Sequence, residues 1–177
     1  MDLQTKALWE DCVRFHGHSC GGLAVGFQAA LYAKELLHMA SRAEDEEIVC
    51  ITENDACGVD AIQVLLGCTA GKGNLIFDIQ GKSAYSFFLR KTGEGIRLVL
   101  RPTPELDRQQ RLTWLMEGDY HNLFDVKPVP CPMPEPARIF TSCTCSLCGE
   151  RMAENHAHLQ NGEIVCDRCW KPYSRGF

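Results

Sequence analysis

Nothing in the 177-residue sequence approaches the roughly 20 consecutive apolar residues of a membrane-spanning helix. The first residues, Met1-Asp2-Leu3-Gln4-Thr5-Lys6, lack the basic-then-apolar order of a secretion signal. A cytoplasmic chain without membrane contact is therefore expected. Positive charge is also scarce: 18 Lys and Arg stand against 23 Asp and Glu, a net charge of −5. That removes any global pull toward nucleic acid or anionic lipid and leaves only a local basic face as a route to such partners. Apolar residues nevertheless make up 45% of the chain, enough for the core of one medium domain plus a small appendage. No internal repeat is present.

Cysteine is abundant, with 11 residues. An odd count without an export signal argues against a disulfide scaffold and for reduced thiols and metal ligation. Cys145, Cys148, Cys166 and Cys169 form C-x2-C…C-x2-C in the last quarter of the chain, and four thiolates at that spacing are what a closed tetrahedral Zn2+ site requires. Each pair suits a tight knuckle, with Gly149 available for the positive φ such a turn needs. The segment between the pairs is too short and polar to bury a core, so metal is expected to supply most of its folding free energy. A closed four-sulfur site has no open position for substrate. It organises the tail without assigning an activity.

The sharpest boundary is Pro128-Val129-Pro130-Cys131-Pro132-Met133-Pro134-Glu135-Pro136, where alternate prolines prevent both helix and sheet ladder. This divides the sequence into a core at 1–127, a stiff linker at 128–138 and a zinc finger at 139–177. In the core, Leu3, Ala7, Leu8, Cys12 and Phe15 recur at helical spacing and stop at Gly17, and a second helix is expected from about Leu23 to Leu37. A buried strand, Ile48 to Thr52, leads into a third helix from about Cys57 to Leu66. Apolar stretches at Leu75–Ile79, Ala84–Leu89 and Ile96–Leu100 read as strands, and Pro104 starts a last helix. Helices first and strands later point to an α+β fold, a mixed sheet covered by helices on one face.

The cluster with most chemistry is His16, His18 and Cys20 before one helix, with Asp55 and Cys57 before another. A helix N-terminus lowers the pKa of a nearby thiol, so Cys20 and Cys57 are expected as thiolates that can ligate or attack; Cys57 is the candidate nucleophile. His16, His18, Cys20 and Cys57 together form a candidate core site for Zn2+ or a second transition metal. The competing reading is of core cysteines and helix-capping histidines, but two histidines and a cysteine in five positions of a glycine-bearing loop are hard to explain by packing.

Other patterns weigh less. Gly67-Cys68-Thr69-Ala70-Gly71-Lys72-Gly73 is one residue short of a phosphate loop, lacks Ser or Thr after Lys72 and follows a helix, so nucleotide hydrolysis is rejected. Lys72 and Lys82 read as solvated surface lysines before they read as an anion site. His156 and His158 could replace a tail ligand, yet four sulfurs suffice, and Cys131 and Cys143 are spare. Tyr85, Phe87 and Phe88 read as sheet packing.

Three blocks taken in order carry a family resemblance: Phe15-His16-Gly17-His18-Ser19-Cys20, then Glu53-Asn54-Asp55-Ala56-Cys57-Gly58-Val59-Asp60-Ala61-Ile62-Gln63, then Gly67 through Leu75. To about Arg101 the chain resembles the FmdE family of formylmethanofuran dehydrogenase components, departing where Cys20-Gly21-Gly22 replaces the family's usual Cys-Pro-Gly. The resemblance implies an α+β core, often dimeric, with a C-terminal zinc finger of treble-clef type in some members. It also implies association with a molybdenum or tungsten oxidoreductase of one-carbon metabolism, although a component's name does not establish catalysis. The cysteines lack the closely spaced run of a ferredoxin, and no molybdopterin site is visible. Three functional classes follow. An accessory or ligand-binding protein would co-purify with such an oxidoreductase. An autonomous enzyme would use an open metal position or Cys57 beside a cleft near His18. A regulator would bind nucleic acid or protein through the finger and would need a basic stripe around Arg151, Arg168, Lys171 and Arg175, a sparse set.

Overall fold

A computed structural model describes residues 2–175. The chain forms two compact units, the first ending at Ala137 and the second beginning at Arg138. None of its helices is long and apolar enough to cross a membrane among the described residues.

In the first unit, helix α1 (Leu3–His16) starts where the Asp2 carboxylate accepts the Thr5 N–H at 2.7 Å. It stops at Gly17, whose φ of 93° a side chain would resist. Helix α2 (Gly21–Leu36) is apolar on nearly all sides, with buried residues from Leu23 to Ala33, so it lies inside the unit and not on its surface. Strand β1 (Ile48–Thr52), helix α3 (Gly58–Leu66) and strand β2 (Leu75–Phe77) make a crossover unit with parallel strands. Strands β3 (Ala84–Leu89), β4 (Gly95–Leu100) and β5 (Phe124–Lys127) then add antiparallel, giving a mixed sheet in the order β2-β1-β3-β4-β5. Helices α4 (Arg108–Glu117) and α5 (Tyr120–Leu123) fall between the last two strands.

The sheet's two faces follow from strand alternation. Ile48, Cys50, Tyr85, Phe87 and Leu98 join the helices in the main core, while Val49, Ile51 and Phe88 point the other way. Helices cover the first face only, as the α+β expectation has it. On the second face the proline-rich stretch lies against the sheet, with Val129, Cys131 and Met133 packed on those three residues. Arg90 fastens it, donating to the Pro134 carbonyl at 2.8 Å and the Glu135 carbonyl at 3.2 Å while pairing with Glu46. Proline suits this place because it cannot extend the sheet yet still buries its apolar neighbours. The first compact unit accordingly runs to Ala137 and includes the prolines.

Two differences from the sequence reading have local causes. The fourth helix begins at Arg108 instead of Pro104, because Asp107 accepts the Gln110 N–H at 2.8 Å and the Gln110 side chain returns the bond, a capping box that outweighs a proline start. Strand β5 has no counterpart in the sequence reading; four residues beside a short helix carry little pattern of their own, and pairing with β4 makes the strand. The Gly67–Gly73 loop is held by Asn74, which accepts the Thr69 N–H at 2.9 Å and donates to the Ile48 carbonyl at 2.9 Å. Lys72 donates to backbone carbonyls of Glu44 and Asp45, and Lys82 pairs with Glu53. Neither the loop nor its lysine is arranged around a phosphate.

The second unit contains two hairpins. Strands β6 (Ser142–Thr144) and β7 (Arg151–Ala153) flank the first cysteine knuckle, and β8 (Ala157–Gln160) and β9 (Glu163–Cys166) lead into the second. Asn161 and Gly162, at φ of 53° and 83°, make the tight turn between β8 and β9. Among the described residues of this unit only Cys145 and Val165 are buried.

Candidate metal centres

The core site is assembled by a close helix crossing. A Cβ on Gly26 of α2 would collide with the Gly58 carbonyl at the start of α3, and one on Gly58 would come within 2.6 Å of the Tyr85 hydroxyl and 3.0 Å of the Gly22 carbonyl. Only glycine permits backbones this near. The crossing sets the N-cap residues of the two helices, Cys20 and Cys57, side by side. Two cysteines 37 positions apart in sequence are therefore brought together.

His16, the last residue of α1, completes the group. Its Nδ1 bonds Asp60 Oδ2 at 2.7 Å, and Gln63 donates to the other Asp60 oxygen at 3.1 Å. With Nδ1 so engaged, Nε2 is left toward the sulfurs, 3.9 Å from Cys20 Sγ. One ligand atom each from His16, Cys20 and Cys57 all lie within 4.8 Å of one another. Tetrahedral Zn2+ holds sulfur and imidazole ligands roughly 3.5–3.8 Å apart, so small side-chain movements suffice to close the shell. A carboxylate behind a ligating imidazole is also the usual brace for a metal-bound histidine.

His18 stands outside this trio. Its ring lies on that of His16, with centroids 4.4 Å apart and planes tilted by 38°, and it lines an adjoining pocket of about 570 Å3 with Cys20, Cys57, Arg108 and Arg111. Three ligands would leave one position of a tetrahedral shell open, and Cys20 and Cys57 both line the pocket. Cys20 accepts the Leu23 N–H at 3.3 Å, as a helix cap should. Burial, however, pushes the Cys57 thiol above its ordinary value, and a hydrogen bond with Cys20 adds to the shift. Both effects favour the uncharged thiol, and a bound cation would remove its proton.

Sequence reasoning assigns no role to Asp60 and Gln63. Their spacing of three and six positions from Cys57 along one side of α3 is the available signal, invisible until His16 is known to face that side. Asp55 is exposed and takes no part, whereas Asn54 shapes the loop, accepting the Ala56 N–H and donating to the Lys82 carbonyl at 2.8 Å.

In the second unit Cys145, Cys148, Cys166 and Cys169 likewise come within 4.8 Å of one another. Gly149, at φ 76°, closes the first knuckle with its N–H on the Cys145 carbonyl, and the Cys169 and Trp170 amides close the second on Cys166. Backbone N–H donation, first from Cys148, draws the Cys145 thiol down to about 6, while hydrogen bonding with Cys166 pushes Cys169 up to about 12. Four crowded sulfurs cannot all ionise alone, and a dication resolves that conflict. His156 and His158 are turned to Asp167, at 2.8 and 2.6 Å, and Cys143 faces the Met152 carbonyl. They are not ligands in this arrangement.

A family model described as "FmdE, Molybdenum formylmethanofuran dehydrogenase operon" matches residues 15–122, a span that opens one residue before His16 and holds the whole core cluster. The chain belongs to the FmdE family. A curated relative from Archaeoglobus fulgidus, named "Probable S-adenosyl-L-methionine-binding protein", is 37% identical over 191 aligned positions, which take in 90% of this chain and 51% of the relative. This chain therefore spans about half of that relative's length. Among solved structures, an FmdE-like protein of tungsten formylmethanofuran dehydrogenase from Syntrophus aciditrophicus superposes with a TM-score of 0.68 at 24% identity, covering 93% of this chain and 91% of that one. At that identity the likeness speaks for the fold.

Proposed function

We propose that the first unit is a metal-dependent ligand-binding module of molybdenum- or tungsten-dependent one-carbon redox metabolism, acting as accessory to a larger oxidoreductase. The observation that carries this reading is the His16–Cys20–Cys57 trio, braced by Asp60, with its remaining coordination position beside the pocket. A transition metal held there supplies a Lewis-acidic position to whatever the pocket admits. The same opening favours a second reading, in which the chain is itself a metal-dependent enzyme; conversion of a ligand by isolated protein would separate the two. For the tail we infer Zn2+, with a structural role, from its four-sulfur donor set. We further infer a homodimer built on the first unit, and light scattering of a fragment ending at Ala137 should still give twice the monomer mass. A monomer would move the interface to the tail.

Metal analysis tests the central reading. Wild-type protein should carry two transition-metal ions per chain, and His16→Ala should carry one with unchanged circular dichroism. One ion in wild type, or no loss on substitution, would overturn the core site. Asp60→Ala leaves all three ligands but frees the imidazole, so metal affinity at the core should fall roughly 10–100-fold. Competition with a chromophoric chelator measures this, and an unchanged affinity would deny Asp60 its bracing role.

A further inference from the structure

The pocket beside the trio is electrically one-sided. Its lining contains Arg108, Arg111 and His18 but no carboxylate, and it includes the first residues of α2 and of α4. Both helices therefore turn positive ends toward it. Arg111 carries the decisive detail. Its Nε is buried and has no hydrogen-bond partner, the only such side-chain nitrogen or oxygen among the described residues. Its Cγ and Cδ lie against the start of α2, 3.5 Å from where a Cβ on Gly21 would stand. With Nε closed off, the terminal N–H groups of this guanidinium are the ones an anion in the pocket can meet. No ion pair engages Arg108 or Arg111 among the described residues.

We propose that this pocket binds a small oxyanion-bearing molecule, its carboxylate or phosphate seated on Arg111 and a second donor atom directed to the open position of the His16–Cys20–Cys57 metal. The planar guanidinium fork matches both kinds of oxyanion, and the two helix starts add to the attraction for negative charge. A neutral or cationic ligand of the same size would leave the Arg111 charge without a counter-ion. The inference rests on the metal reading for the second contact but not for the first.

Acetate and inorganic phosphate serve as separate probes of the two chemistries, titrated into full-length protein carrying Co2+. Isothermal titration should show one site per chain for at least one of them, and the Co2+ absorption bands should shift as it fills. Arg111→Gln should weaken that binding roughly tenfold or more while metal content stays at the wild-type value. Arg111→Lys, which keeps the charge and the packing of the stem, should recover part of the affinity and guards against a folding artefact. Equal affinities in wild type and Arg111→Gln, or binding of neither probe, would overturn the proposal. In His16→Ala, calorimetric binding should persist without the spectral shift. Should wild type itself bind an anion with no spectral response and only one metal per chain, the metal reading fails and the Arg111 seat stands.

Discussion

Replacing Cys148 with Ser is expected to release the tail metal and unfold the second unit while leaving the first unit's melting transition where it was. The second unit buries only Cys145 and Val165 among its described residues, so apolar burial contributes a few kcal/mol at most. A structural Zn2+ site would contribute on the order of 10–16 kcal/mol, the largest single stabilising term open to this unit. Serine keeps the shape but loses the thiolate, and three sulfurs cannot complete the shell. Amide spectra should show residues 139–169 collapsing to unfolded shifts in the variant, with one metal ion fewer per chain. A tail that stays dispersed at full metal content would mean the four sulfurs are not its scaffold.

The second large effect belongs to Gly26→Ala. Alanine normally favours a helix interior over glycine by up to about 1 kcal/mol. Here the added methyl meets the Gly58 carbonyl, a backbone atom that cannot rotate away, so α2 and α3 must part. Forced overpacking costs about 1–3 kcal/mol in cores that can adjust, and a backbone obstacle belongs at or above the upper end. Urea denaturation should show a net loss of about 2 kcal/mol or more. Because the same crossing sets Cys20 beside Cys57, core metal affinity should fall with it. Gly71→Ala is the control: nothing stands within 4 Å of its Cβ, and stability should hardly move. Equal behaviour of the two variants would mean that the helices do not meet where Gly26 faces Gly58.

Those two variants also mark what a single chain of letters discloses. The four tail cysteines are readable because their ligand spacing is local, and β1 because five consecutive buried residues leave little ambiguity. His16, Cys20 and Cys57 are identifiable as a group from residue type and from resemblance. That His18 stacks outside the trio depends on the Gly17 turn, whose φ no spacing rule supplies. Arg111 is unreadable as a pocket residue, since it lies 91 positions beyond Cys20 on a helix that starts four residues after the proline expected to open it. The rise of the Cys57 thiol comes from burial and from its bond with Cys20, tertiary quantities that spacing does not show.

The proline-rich stretch clasped by Arg90 changes where the first unit should be cut. Ending a fragment at Lys127 would uncover Val49, Ile51 and Phe88 on a sheet face that native protein keeps dry, an invitation to self-association in solution. Protease should find the prolines resistant and the exposed run from Ile139 to Thr141 open. A well-behaved core therefore carries its own strap of ten residues beyond the last strand, from 128 to 137, and trimming that strap as a mere spacer would exchange a folded module for an aggregating one.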